Sequence, residues 1–291
     1  MASPLGSKER PAQAAPADPP PAYLDARATL AARFLFGEGL EIGPLHLPLS
    51  LPRQARARYV DRMPVERLRR EYPELAGWDL TPVDVIDDGE ALATIAPESQ
   101  DFIVANHFLE HCENPIGTID THLGKLHPGG VLFYAVPDKR YTFDFRRPVT
   151  PIEHMLADYE QGPERSRREH YDEWARLVLV EEGEAEEDSE AKARRLEAER
   201  YSIHMHIWTQ AEFLRLILAC RERLGEPFEL EAAARQGIEL IVVLRKHGPL
   251  PEPHPPTTGI PSGPGRLARL TAAAKRRGRA ILRRGRSVEN G

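Results

Sequence analysis

The chain has 291 residues, 41% of them hydrophobic and 29% charged, with a net charge of −6 and two cysteines. Its longest apolar runs are strand-length, which excludes a bilayer-spanning segment, and its size suits one large domain or two small ones. Cys112 and Cys220 form neither a disulfide framework nor a CxxC metal pair, and MASPLGSKERPAQ lacks a signal-peptide core, so the expected compartment is the cytoplasm.

Charge is spread unevenly. Between Gly248 and Gly291 lie nine basic and two acidic side chains, a net of +7, which leaves the rest of the chain at −13. An acidic body grips nucleic acid poorly because phosphate contacts dominate that affinity, so no nucleic-acid partner is expected.

Residues 1–21, rich in Pro and Ala, read as disordered. A helical pattern runs from Tyr23 to Phe36, and short apolar segments separated by turn residues follow. GLEIGP (39–44) reads as a first strand and RYVDRM (58–63) as a second, with a helix or turn after Pro64. PVDVIDD (82–88) and QDFIVANH (100–107) read as the third and fourth strands. A helix over Pro115–Leu126 ends at HPGG (127–130), and GVLFYAVP (130–137) is apolar throughout, as a buried parallel strand should be. Residues 138–208 mix polar and aromatic side chains and include the acidic run 181–190, read as a solvated loop or helix face. Residues 209–225 form an amphipathic helix with Thr209 and Glu212 as a capping box and Gly225 as its stop. PFELEAA (227–233) and IELIVVLRK (238–246) predict a closing antiparallel hairpin.

Alternating strands and helices imply a parallel sheet whose ligands bind at the carboxyl ends of its strands. Four such ends carry polar residues. Glu41 and Gly43 follow the first strand, and Gly43 allows close backbone approach. Asp61 ends the second, where a carboxylate can accept both hydroxyls of a ribose. Asp87-Asp88-Gly89-Glu90 ends the third and could accept an adenine amino group, and Asn106-His107 ends the fourth. Singly, each reads equally well as a turn or a helix cap.

In order and spacing these segments resemble class I S-adenosylmethionine-dependent methyltransferases of the broad type 11 group, over about Phe36 to Lys246. GLEIGP stands at the first motif, RYVDR at the acidic ribose position and DDGEAL (87–92) beside adenine. ESQDFIVANHFLEHCENP (98–115) resembles the strand-four region ending in LEH, and LHPGGVLFYAVP (126–137) its strand five. The resemblance implies an α/β, Rossmann-like, doubly wound and mostly parallel seven-stranded sheet with a C-terminal antiparallel hairpin. The corresponding domain is 22–247, with an insertion at about 138–208. It implies S-adenosylmethionine as cofactor, with Glu41, Gly43, Asp61, Asp88 and Asn106 as cofactor-binding candidates. One departure stands out: Pro44, Pro48 and Pro52 fall where the first crossover helix should run, so that helix should be short or broken.

The segment 136–154 resembles methyltransferases found beside glycosyltransferases in surface-polysaccharide clusters. That association implies O-methylation of a saccharide or glycan-related acceptor and a glycosyltransferase partner. Asp138, Arg140, Tyr141 and Asp144 are the substrate-binding candidates, since Asp, Arg and Tyr together suit hydroxyl-rich or anionic ligands. Salt bridges to the acidic body are the competing reading. His107 is the first candidate for the base that deprotonates the acceptor, followed by His154 and His206. His107, Glu110 and His111 also spell H-x-x-E-H, and His204 and His206 should share one face of an extended stretch, yet no metal is assigned. The basic segment 266–286 either lies on an anionic membrane as a cationic helix or forms a disordered extension or linker, as Gly278 and Gly285 favour. A non-catalytic, methyltransferase-like scaffold in glycan assembly is the alternative function.

Overall fold

A computed structural model describes residues 25–179 and 189–248. The segment 1–21, residues 181–188 of the acidic run and the basic segment 266–286 lie outside them.

Seven strands form one sheet: β1 (Gly37–Ile42), β2 (Ala55–Asp61), β3 (Val85–Ile86), β4 (Gln100–Asn106), β5 (Leu126–Pro137), β6 (Phe228–Gln236) and β7 (Glu239–Lys246). Their order is β3-β2-β1-β4-β5-β7-β6. Strands β1 to β5 pair in parallel, and β7 runs antiparallel to both β5 and β6. This is the Rossmann-like sheet and closing hairpin expected from the sequence. The hairpin turns at Gly237, whose φ of +57° suits a residue without Cβ.

Among the described residues, seven α-helices accompany the strands: α1 (Ala26–Phe34), α2 (Val65–Glu71), α3 (Pro115–Lys125), α4 (Ile152–Gln161), α5 (Arg167–Trp174), α6 (Ser189–Ala198) and α7 (Gln210–Arg223). On one face of the sheet, Ile116, Ile119 and Leu123 of α3 and Phe213, Leu216 and Ile217 of α7 bury Leu40, Ile103 and Leu132. On the other, Ala31 and Phe34 of α1, with Leu49, cover Phe102, Val104 and Phe133. Each fully buried large side chain contributes roughly 1.5–3 kcal/mol, so this two-faced core holds the strand ends in fixed relation.

The prolines act as expected. No helix lies between β1 and β2; residues 43–54 run as turns, in which Leu47 N donates to Pro44 O and Ala55 N to Pro52 O. Three missing amide donors leave too few bonds for a helix. Other expectations shift. The third strand keeps only two of its seven expected residues, because the Asp84 carboxylate accepts the Tyr59 N–H in place of ladder pairing there. HPGG does not interrupt the chain: β5 begins at Leu126, with Gly129 at φ +83°. Lys246 Nζ and Arg245 Nη1, both on β7, donate to the Leu126 and Gly129 carbonyls and satisfy the irregular stretch. At the start of α7, Thr209 donates its hydroxyl to Glu212 rather than accepting a helix amide. The Gln210 N–H is taken instead by Asp138 Oδ2 at 3.2 Å.

Candidate active site

The strand order reverses between β1 and β4, which places the ligand crevice at the carboxyl ends of those two strands. Ile42 of β1 pairs with Ala105 of β4, so Gly43 and Asn106 leave the sheet side by side. Gly43 has φ +60°, and a Cβ added there would meet nothing within 4 Å, so its backbone faces open space. The Asn106 amide is buried and has no hydrogen-bond partner at either Oδ1 or Nδ2. Strand alternation turns Glu41 and Asn106 to the same face as Val104. Glu41 is 1% exposed; Oε1 accepts from Leu49 N at 2.8 Å, while Oε2 has no partner. Burial outweighs that hydrogen bond and pushes its pKa from 4.5 up to about 7. The same Leu49 bond pins the proline-rich turn that replaces the crossover helix.

Asp61 ends β2. Desolvation raises its pKa to about 6, although its Oδ1 accepts from Arg62 N at 2.7 Å. The loop after β3 is fastened at both ends. Asp87 accepts from Asp88 N and from the amide and hydroxyl of Thr94, and Glu90 accepts from Glu113 N, Asn114 N and Thr118 Oγ1 at the start of α3. Between them Gly89 leaves no room for a side chain: a Cβ would lie 2.6 Å from the Phe108 ring and 2.7 Å from Ile42 Cγ2. His122, fully buried with its pKa lowered by desolvation to about 4, is neutral. It donates from Nε2 to the Gly89 carbonyl and accepts the Tyr134 hydroxyl at Nδ1, both at 2.8 Å. Asp88 is thereby left exposed on a rigid loop.

His107 occupies the left-handed region at φ +54°. Its Nε2 lies 2.9 Å from Glu239 Oε2, and its Nδ1 lies 3.5 Å from Glu110 Oε1. Glu239 is further gripped by Arg27 Nε at 2.7 Å and Nη2 at 2.5 Å. Burial works against every charge in this chain, yet the mutual attraction wins. The two carboxylates raise His107 above its usual value, and His107 and Arg27 hold Glu239 down to about 2. His107 is thus paired with Glu239 through Nε2 and lies beside Glu110 at Nδ1, an ion network that competes with its expected role as base. Arg27 and Glu239 were not singled out from the sequence. A carboxylate inside the apolar run IELIVVL was the available signal, since an unpaired charge there would be costly.

The segment after β5 divides the substrate candidates. Asp138 is 3% exposed and accepts from Arg140 N, Nε and Nη2 as well as from Gln210 N. Asp144 is 1% exposed, lies 2.9 Å from Arg147 Nη1 and 2.6 Å from His204 Nδ1, and is held at about 2 against burial. Both carboxylates are filled by internal partners and brace the loop, contrary to their expected contact with substrate. Arg140 and Tyr141 remain exposed, and the Arg140 and Arg235 guanidiniums lie 5.5 and 4.7 Å from the Tyr141 ring centroid. His154 and His206 meet one another within the insertion, next to Asp158 and His170. His206 is fully buried and donates from Nε2 to the Glu113 carbonyl, so no acceptor hydroxyl reaches it. His204 turns instead to Asp144 and does not share a partner with His206.

A family model described as a methyltransferase domain matches residues 59–218, more than half of the chain. The chain belongs to this methyltransferase family. It is an enzyme, and the methyl donor of this family and sheet is S-adenosylmethionine. Among solved structures, a protein of Bacillus halodurans described as a candidate methyltransferase aligns at 12% identity with TM-score 0.42, over 76% of this chain and 97% of its own. An S-adenosylmethionine-dependent methyltransferase of Methanosarcina mazei aligns at 16% identity with TM-score 0.41, over 74% and 94%. A comparison with curated proteins gives no match. The crevice of this methyltransferase fits the donor. Glu41 Oε2 and the Asn106 amide are buried polar atoms lacking partners, Gly43 leaves a cradle, and the carboxylates complement a cationic sulfonium and ammonium.

Proposed function

We propose that this methyltransferase acts on a hydroxyl of a saccharide or glycan-related acceptor. The observation that carries the acceptor class is the cluster of solvent-facing aromatics beyond the carboxyl end of β5. Tyr141 is 46% and Phe145 49% exposed, and arginines stand over both rings. An exposed ring offers an apolar platform to the C–H face of a sugar, and guanidinium forks suit its hydroxyls or carboxylates. Asp138 and Asp144 support this surface from behind.

For the donor, Gly43 gives backbone access, Glu41 and Asn106 meet the methionine end, Asp61 takes the ribose hydroxyls and Asp88 the adenine amino group. Bound there, S-adenosylmethionine supplies an electrophilic methyl group on a sulfonium. The chain's own residues hold the acceptor oxygen in line with that carbon, so that the C–O bond forms as the C–S bond breaks. Proximity and orientation carry most of the acceleration. Composition and resemblance support a cytoplasmic setting, a glycosyltransferase partner and peripheral membrane contact through residues 266–286.

The test pairs calorimetry with S-adenosylmethionine and mass spectrometry of extracted glycans given methyl-labelled donor. Donor binding with label in glycan is the expected result. Label appearing only in protein or small metabolites overturns the acceptor class.

A further inference from the structure

We infer that His154, Asp158, His170 and His206 form a zinc site that ties the separate parts of the insertion together. The four residues come from three separate pieces of chain. His154 and Asp158 lie one turn apart on α4, His170 is on α5, and His206 sits on the extended stretch before α7. One ligand atom from each, a ring nitrogen or a carboxylate oxygen, falls within 4.8 Å of all the others.

The spacing matches a tetrahedral ion. Zn–N bonds of roughly 2.0–2.1 Å give a tetrahedron whose edges are about 3.3–3.4 Å. His154 Nε2 is 3.1 Å from His170 Nε2 and 3.3 Å from Asp158 Oδ2, and His206 Nε2 is 3.7 Å from that oxygen. Hydrogen bonds alone leave this group unsatisfied: Asp158 Oδ2 and His206 Nδ1 are buried with no hydrogen-bond partner. One outer contact is already in place: Asp158 Oδ1 accepts from Ser166 Oγ at 2.6 Å. Zinc would replace the proton that His206 Nε2 shares with the Glu113 carbonyl at 3.2 Å in the metal-free chain. A second group, Glu110, His111 and His204, offers only three ligands. Glu110 there serves His107, and His204 Nδ1 serves Asp144.

Four protein ligands close a zinc site and assign it a structural task. The ion would join α4, α5 and the stretch that leads into α7. The apolar cluster formed by Tyr171, Trp174, Leu196 and Ile203 packs the insertion without it. The sequence showed no such site because its ligands are scattered, and the recognisable H-x-x-E-H spacing belongs to the His107 ion network instead.

The experiment is elemental analysis of the purified full chain, followed by titration of the chelator-stripped protein with zinc chloride. One zinc per chain is expected, with at least a tenfold loss of affinity in both His170→Ala and Asp158→Asn. His127→Ala, on an exposed residue of β5, should bind as wild type. Cobalt replacement should give the visible bands of a tetrahedral N₃O site in wild type and lose them in Asp158→Asn, the gentler variant if His170→Ala misfolds. A protein that retains no zinc and takes up none at tenfold excess overturns the inference. So does loading that both substitutions leave unchanged. These readouts do not depend on methyl transfer.

Discussion

Replacing Glu41 by Gln should stabilise the donor-free enzyme at alkaline pH and weaken its grip on the donor. In the folded chain the carboxyl titrates at about 7 against 4.5 in the reference state, because burial opposes its charge. An acid with a raised pKa holds its proton in the native state after the unfolded chain has released its own. Folding stability therefore falls as pH rises from 4.5 through about 7, and levels off above. A rise of about 2.5 pKa units at 1.36 kcal/mol each makes the full loss about 3 kcal/mol. Gln keeps the acceptor for Leu49 N and has nothing to ionise. The stability difference between variant and wild type should thus be small near pH 5 and grow towards about 3 kcal/mol in favour of the variant by pH 8. Urea unfolding at pH 5, 6, 7 and 8 reads it directly, and Asp61 and Glu90 cancel because both proteins carry them. A difference that stays flat across this range would refute the reasoning. Calorimetry should show the opposite trend for the donor, since a cation stabilises the ionised carboxylate: wild type binds more tightly as pH rises from 5 to 8, and the variant does not.

Asp61→Ala should raise the donor Kd by roughly 5- to 150-fold, the equivalent of about 1–3 kcal/mol for unpaired ribose hydroxyls, with little change in melting temperature. His107→Gln should destabilise the fold by about 1–3 kcal/mol near neutrality, because Glu239 keeps Arg27 but loses its half-buried imidazole partner. Since the folded pKa of His107 is raised, its stabilisation is complete below about 6.5 and is lost as pH climbs through the folded value; a variant deficit that instead grows with alkalinity contradicts the clamp. Tyr141→Ala should raise KM for glycan several-fold while donor affinity, followed by calorimetry, stays as in wild type.

The backbone plan of this protein is written in local sequence. Short apolar runs, the three prolines after Gly43, the glycine at position 237 and the amphipathic 209–225 stretch act over a few residues, so strand identity and the missing helix were legible before any fold was known. That Gly43, Asp61, Asp88 and Asn106 stand at or just beyond the ends of strands was legible for the same reason. The histidines and buried acids were not. His107 reads as a free base until Glu239, far along the chain, and Arg27 are folded against it. Asp138 and Asp144 look like ligand contacts until Arg140, Arg147 and His204 fill them. Asp158 and His170 gain meaning only when two helices and an extended stretch converge. Residue type and spacing set what a side chain can do. Which proton it carries, and whether its lone pairs remain free, depends on burial and on charges brought near by tertiary contact, and those decided the chemistry of this site.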